Sequence, residues 1–349
     1  MARARDPVVL IERVCRETGA VAAMAQLHTD LDQIGVAGAV ATHDTPKLFD
    51  WLMTAFSYQG VSNAAASSYL ADHGNVTYRA ISDALAGHRC GCAKLAGFEA
   101  YQGCSYRKSG HCSQPRYLGA CPVPTHDLRK GTLNQLAYAL YFFIRDVGGG
   151  DLVGFIDRTL EGADRPGHPD RIALMRAALL IPLRRIHGVS DKVLNMAFAD
   201  FLLGADPQRT RWVEAGGSMI AVDRLVHNFL HRTGILAGAK ADHAYGPACY
   251  RDGGCAAIID RAARHLDARA FDPSFPVYFP RFVQHAIWQF CAQEHRNICN
   301  GNHIDDAARC RQRDCPLYAG CRRLALKPAN THRQVSAPAG AGARAPPPS

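Results

Sequence analysis

The residues of this chain best placed to do chemistry are a lysine and an aspartate thirty-one positions apart. Lys192 closes the run Ile186-His187-Gly188-Val189-Ser190-Asp191-Lys192. Asp223 sits in Ala221-Val222-Asp223-Arg224-Leu225-Val226-His227. Each falls where an amphipathic helix is expected to begin. An amine with a carboxylate beside it suits attack on a sugar carbon, as in removal of a base from DNA.

The elements that position these groups are readable. Gly188 permits a tight turn that bulkier residues resist. Successive backbone N–H groups at the turn and at the following helix start can face a phosphate, which holds a nucleic-acid backbone without reading its sequence. The positive end of a helix disfavours an ammonium at Lys192 and so favours the neutral amine a nucleophile needs. The same residues also fit an ordinary corner between two helices with a solvated lysine. Asp223 likewise fits a plain N-cap. As a capping carboxylate it would stay ionised and could stabilise positive charge developing on a deoxyribose ring.

Thirteen cysteines stand in the chain. In a reducing compartment they suggest metal ligands and buried thiols rather than disulfides. Cys299-x10-Cys310-x4-Cys315-x5-Cys321 gathers four thiols in a short segment, with Cys291 as a fifth candidate. Four thiolates suit an iron–sulfur cluster or zinc. A second set, Cys90, Cys92, Cys104, Cys112 and Cys121 with His88 and His111, lies in a polar, glycine-rich stretch over 88–121. That stretch reads as an insertion, and a second metal would staple it. Its Tyr101, Tyr106, Arg107, Lys108, Arg116 and Tyr117 mix bases with aromatics, as DNA contacts or a solvated loop would. Cys249 and Cys255 flank a glycine-rich turn and read as structural; Cys15 reads as a core or surface thiol.

With 349 residues, 48% of them hydrophobic, the chain can bury a full core. The net charge of +9 favours a polyanionic partner. However, Arg322, Arg323, Lys327, Arg333 and Arg344 supply five of those charges from an acid-free tail, leaving +4 for the rest. There is no apolar run of membrane-spanning length and no signal-peptide core, so the expectation is a cytoplasmic, nucleoid-associated monomer with no membrane partner. Helical periodicity runs through most of the chain. Thr45-Pro46 reads as a cap with a first-turn proline, Ser62 as the cap of a helix through Leu70, and Thr132 with Gln135 as a capping box. Gly148-Gly149-Gly150 reads as a helix stop and Asp151 as the next cap. Residues 170–181 read as a helix broken at Pro182. Residues 322–349 read as a disordered tail.

These motifs resemble the helix-hairpin-helix DNA glycosylases of the endonuclease III type. That family carries a Leu-Pro-Gly-Val-Gly-x-Lys hairpin, then Val-Asp at a helix start, then four cysteines. Here the hairpin is 186–192, the second segment begins at Val222-Asp223 and includes Arg232-Thr233, and Cys315-x5-Cys321 matches the last cluster spacing. Phe56-Ser57-Tyr58-Gln59 resembles the family's early Ser-x-Gln segment. The likeness covers roughly 45–321, in order.

The resemblance implies an all-α, two-lobed fold with a C-terminal four-cysteine cluster. Residues 1–44 would pack with the C-terminal lobe, 45–215 would form the hairpin lobe with its insertion, and 216–321 the second lobe. It implies a glycosylase with associated AP-lyase activity on double-stranded DNA carrying a damaged, mismatched or abasic nucleotide. Lys192 would form the Schiff base and Asp223 would assist base departure. Gln59 would enter the duplex where a base is flipped out, and His187, Gly188, Val189 and Ser190 would contact the backbone. Cys299, Cys310, Cys315 and Cys321 would hold a [4Fe-4S] cluster, with zinc as the alternative. The alternatives in function are a monofunctional glycosylase and a non-catalytic iron–sulfur DNA-binding protein. The chain departs from the family at His187, at Ser190, at the acidic Asp191, in the long Lys192–Asp223 interval and in its wider cysteine spacings.

Overall fold

The computed structural model describes residues 6–106, 111–129 and 131–327. Arg107 and Lys108 of the insertion, and the tail from 328 onward, lie outside them. The described chain is all-helical, and no strand occurs among the described residues. The early helices are α1 (Pro7–Glu17), α2 (Ala20–Gln33), α3 (Val36–Ala41), α4 (Thr45–Ser57), α5 (Asn63–His73), α6 (Tyr78–Gly87) and α7 (Phe98–Tyr101). Next come α8 (Asn134–Phe142), α9 (Leu152–Ala163), α10 (Arg171–Leu183), α11 (Asp191–Gly204) and α12 (Thr210–Gly217). The last are α13 (Arg224–Thr233), α14 (Ile235–Gly238), α15 (Cys255–Arg264) and α16 (Pro280–Cys291). No helix is long and apolar enough to cross a membrane among the described residues.

Side chains that accept orphan N–H groups set several helix starts. Ser62 Oγ accepts from Ala65, and the Asp151 carboxylate accepts from Gly154, as their sequence positions suggest. At α4 the cap is Asp44, which takes the Lys47 N–H; Thr45 is buried and its Oγ1 instead receives the Leu152 N–H from α9. The expected capping box at Thr132 and Gln135 is absent. Helix α8 starts at Asn134 without a side-chain cap, and Gln135 donates to the Cys104 carbonyl of the insertion. Pro182 does not break α10, because it falls in the last turn, where only one further residue follows it.

Two apolar clusters form the core. The first runs from Leu31 to Met219 and takes in α4, α8, α9, α10 and α11. The second joins Leu10, Ile11, Val14 and Cys15 of α1 to residues between Ile220 and Leu317, chiefly on α13, α15 and α16. Helix α2 packs on both α11 and α16 and so ties the clusters together. Its contact with α11 is close because residue 204 is glycine: a Cβ there would meet Leu31 Cδ1 at 2.8 Å and the Leu27 carbonyl at 2.9 Å. The strap after the last cysteine is ordered rather than loose. Arg322 and Leu324 donate their N–H groups to Thr233 and Arg232, and Leu326 and Lys327 donate to Asp306, so disorder from 322 onward is not what the chain does over 322–327. These bonds satisfy the terminal carbonyls of α13.

Gly204→Ala is expected to destabilise the fold by about 1–3 kcal/mol, because a backbone oxygen cannot yield to the added carbon. Gly162→Ala near the end of α9, which meets nothing within 4 Å, should be neutral or stabilising. Urea midpoints of the two variants against the parent check this; equal midpoints would remove the close α2–α11 contact from the account.

Candidate active site and metal-ligand clusters

Helix α10 ends against a hairpin whose Ile186 and Val189 turn inward while His187, Gly188 and Ser190 face out. Gly188 has φ +95°, and a Cβ there would also approach Leu136 Cβ at 3.3 Å, so both backbone angle and space call for glycine. The Gln59 amide closes the hairpin from the α4–α5 corner. Its Nε2 donates to the Gly188 carbonyl at 2.6 Å, and its Oε1 accepts the Ser190 N–H at 2.8 Å. Arg129 fixes that corner by donating to the Ser57 and Gln59 carbonyls. Asp191 does not stand as a free acid beside the turn: Arg184 donates to its carboxylate at 2.7 Å.

Lys192 then falls in the first turn of α11. It lines a cleft of about 420 Å3 together with Gln59, Gly60, Ser190, Val222, Tyr245 and Tyr250. That volume lies within the range of pockets for small organic groups. One wall comes from the first cluster, the other from the second. Val222 is held in the second wall by its N–H, which donates to the Tyr250 hydroxyl at 2.9 Å. The next residue, Asp223, is the N-cap of α13 and accepts the Val226 N–H at 2.9 Å. Its carboxyl is raised from the ordinary aspartate range by burial, against the pull of the Val226 N–H and of the Lys192 charge. Burial thus works against the permanently ionised state expected of a capping carboxylate. Lys192 and Asp223 act on one another electrostatically, yet no ion pair within 4.0 Å closes between them among the described residues.

The cleft continues past Tyr250 into a groove of about 310 Å3 that carries Arg176, Arg184, Arg251 and Arg261 against Asp252 and Asp260. Arg176 pairs with Asp260 at 3.5 Å, whereas Arg251 and Arg261 form no ion pair among the described residues.

Cys299, Cys310, Cys315 and Cys321 converge on one enclosed cavity below α13. Cys291 is fully buried beside Cys299 but does not line that space. Arg232 does line it. This arginine is 1% exposed; one nitrogen pairs with Asp306, while Nε and Nη1 have no partner. A buried guanidinium with donors to spare calls for an anion. The Arg323 N–H points at Cys321 Sγ at 3.3 Å, a contact that also favours thiolate. A single zinc would draw thiolates to about 3.8 Å from one another. No three of these sulfurs lie within 4.8 Å of each other, since the one such ligand group among the described residues is elsewhere. The four sulfurs are therefore not gathered as the ligands of one zinc ion are.

That other group was not legible as a site in the sequence. His227, His243, Cys249 and Cys255 bring one ligand atom each to within 4.8 Å of all the others, a set that could bind a metal. Cys249 and Cys255 had read as structural only; the spacing His227-x15-His243-x5-Cys249-x5-Cys255 was the available signal. In the insertion, Cys90, Cys104 and Cys112 all act on the Cys121 thiol, which burial pushes up to about 11. The Gln114 N–H donates to Cys112 Sγ at 3.3 Å. Cys15 is a buried core thiol, pushed up to about 12 by the same cause.

Comparison with protein-family models, with curated proteins and with solved structures returns no match.

If the four cavity thiols hold an iron–sulfur cluster, Cys310→Ser should strip iron and brown colour from the purified protein, and Cys291→Ser should keep both. Iron analysis and visible absorbance distinguish the two; iron retained by the Cys310 variant and lost from the Cys291 variant would reassign the fourth ligand.

Proposed function

We propose that this chain is a two-lobed helix-hairpin-helix DNA glycosylase with associated AP-lyase activity. The observation that carries the reading is a cleft beside the glycine hairpin that Lys192 and Val222 both line, with Asp223, the residue after Val222, near enough for the Lys192 charge to act on its carboxyl. An amine and a carboxylate that act on one another without forming an ion pair could serve one sugar carbon.

In this reading the damaged nucleotide of a DNA duplex rotates into the cleft, where the aromatic face of Tyr245 offers a stacking surface. The Lys192 Nζ, having given up a proton to solvent, attacks C1′. The C1′–N bond breaks, and its electron pair leaves with the base, which takes up a proton. The Asp223 carboxylate stabilises the positive charge that builds on the sugar. The ring then opens as C1′ and Nζ form an imine and the amine sheds its protons. Loss of a C2′ proton expels the 3′ phosphate oxygen, which cuts the strand 3′ to the lesion. Water finally hydrolyses the imine and frees the lysine. The exposed hairpin and the arginine-bearing groove supply sequence-independent phosphate contacts. Gln59 stands at the rim, where it would occupy the gap left by the flipped base.

Cys299, Cys310, Cys315 and Cys321 would hold a [4Fe-4S] cluster with a structural and DNA-positioning role. Cys90, Cys104, Cys112 and Cys121 would hold a second metal centre in the insertion. Loss of part of the bound metal in a Cys121→Ser variant, with the remainder kept, checks that assignment.

Borohydride trapping on a duplex with one abasic site should give a covalent adduct with the parent and none with Lys192→Ala. An adduct that survives the substitution would falsify the role of Lys192. Base release without strand cleavage would point instead to the monofunctional reaction, with water as nucleophile.

Asp223 must be ionised to stabilise a cation, and burial raises its pKa. Activity should therefore fall with decreasing pH through a limb lying above the 3.8 of an ordinary aspartate. The charged and titratable groups around it are Lys192 on α11, Tyr245 on the facing loop and Cys291 on α16. Asp223→Asn should lower the single-turnover rate about 100-fold or more and abolish that limb. A pH profile unchanged in the Asn variant would show that the limb belongs to another group.

A further inference from the structure

The His227, His243, Cys249 and Cys255 group stands apart from the four-cysteine cavity and from the cleft chemistry. His227 is in the second turn of α13, four residues after Asp223. His243 lies on the loop that follows α14, Cys249 in a short 3-10 turn, and Cys255 at the start of α15. Three of the four are buried, both cysteines completely.

The spacing is that of ligands around one ion. Zinc bonds of about 2.3 Å to sulfur and about 2.0–2.1 Å to nitrogen place neighbouring sulfur and nitrogen atoms of a tetrahedron about 3.5 Å apart. His227 Nδ1 is 3.4 Å from Cys255 Sγ and 3.6 Å from Cys249 Sγ, and His243 Nε2 is 3.4 Å from Cys255 Sγ. The far nitrogen of His243, Nδ1, lies 2.6 Å from the Ala241 carbonyl. A ligating imidazole is commonly oriented by such a bond, which leaves the other nitrogen to the metal.

The backbone is shaped to make this meeting possible. Gly253 has φ +75°, and a Cβ on Gly254 would run into the Ala248 carbonyl and come within 3.0 Å of the Cys249 and Arg251 carbonyls. Only a glycine turn this tight returns the chain from Cys249 to Cys255. Two thiols and two imidazoles gathered in an apolar cluster, at this spacing, are costly to bury unless something joins them.

We propose that His227, His243, Cys249 and Cys255 bind one structural zinc ion, which fastens the Tyr245–Tyr250 wall of the cleft to the helix that Asp223 caps. All four protein positions are filled, so no site is open for substrate, which separates this ion from a catalytic zinc. His243 and Cys249 bracket Tyr245, Gly246 and Pro247, the segment that lines the cleft opposite Lys192. The assignment holds whichever reaction the cleft performs.

The test is made on the full-length protein. Elemental analysis should find zinc in the protein, of which about one atom per chain belongs to this group. Cys255→Ser and His243→Ala should each lose that zinc while iron content and brown colour stay at parental levels. Cobalt(II) in place of zinc should give intense red-region bands of tetrahedral sulfur–nitrogen coordination, absent from the Cys255 variant. Removing the zinc should speed tryptic cleavage after Lys240 and Arg251 about tenfold, as the freed loop opens, with sites elsewhere unaffected. The His243 variant alters a partly exposed loop residue and keeps the comparison usable if the buried Cys255 variant fails to fold. A zinc-free parent that takes up no cobalt, a zinc content that neither variant lowers, or a Cys249–Cys255 disulfide in the native protein would each overturn the proposal.

Discussion

Helix α13 is the constraint on which the rest of the structure depends. Only ten residues long, it carries Asp223 as its cap, His227 in its second turn and Arg232 at its end. The cleft, the His2Cys2 group and the four-cysteine cavity therefore lie in sequence along one rigid rod. Val226, Phe229 and Leu230 bury its apolar face in the second cluster, so the rod cannot rotate without exposing that core. Gly234 ends it in the left-handed conformation, and the Arg322 side chain packs where a Cβ would otherwise stand. A displacement at any of the three stations is thus felt at the other two.

The two clusters are built differently, and the second brings together the chain's one compact His2Cys2 group among the described residues. The first is a contiguous apolar core filled by long helices from a single stretch of chain. The second is assembled from α1, α13, α15 and α16, and from a segment after α16 that runs in turns to residue 327. A turn-rich segment buries little apolar surface per residue ordered, so cross-links must replace packing. The insertion over 88–121 is built of short helical turns but packs Leu95, Phe98, Tyr101 and Tyr106 into the first cluster.

Local signals were legible where local physics decides. The helical class, the hairpin at Gly188 and the caps at Ser62, Asp151 and Asp223 all follow from side chains acting on their own neighbours. Signals that require knowledge of a distant partner were not. Thr45 looked like a cap but is drawn to α9, and Gln135 looked like half of a capping box but serves the insertion. His227 fits the apolar stripe of α13, and its three co-ligands lie beyond the next helix. The spacing was present, but only the folded chain shows that the intervening residues loop back. The Arg184–Asp191 pair is the same lesson in charge: the acid beside the hairpin is answered by an arginine seven residues earlier.

Gln59 and Ser190 define the remaining step from architecture to recognition. The hairpin N–H best placed to meet a phosphate oxygen, that of Ser190, is held by the Gln59 carbonyl oxygen. A neutral amide oxygen at this donor is a weaker partner than a phosphate oxygen would be, because bonds to charged acceptors are the stronger ones. The same glutamine donates to Gly188, so its release frees one acceptor and one donor of the turn together. An anion arriving at the hairpin would therefore compete with a single side chain, that of a residue whose backbone carbonyl Arg129 holds. Under the proposed reading, backbone binding at the hairpin would release the Gln59 side chain through one exchange of hydrogen bonds.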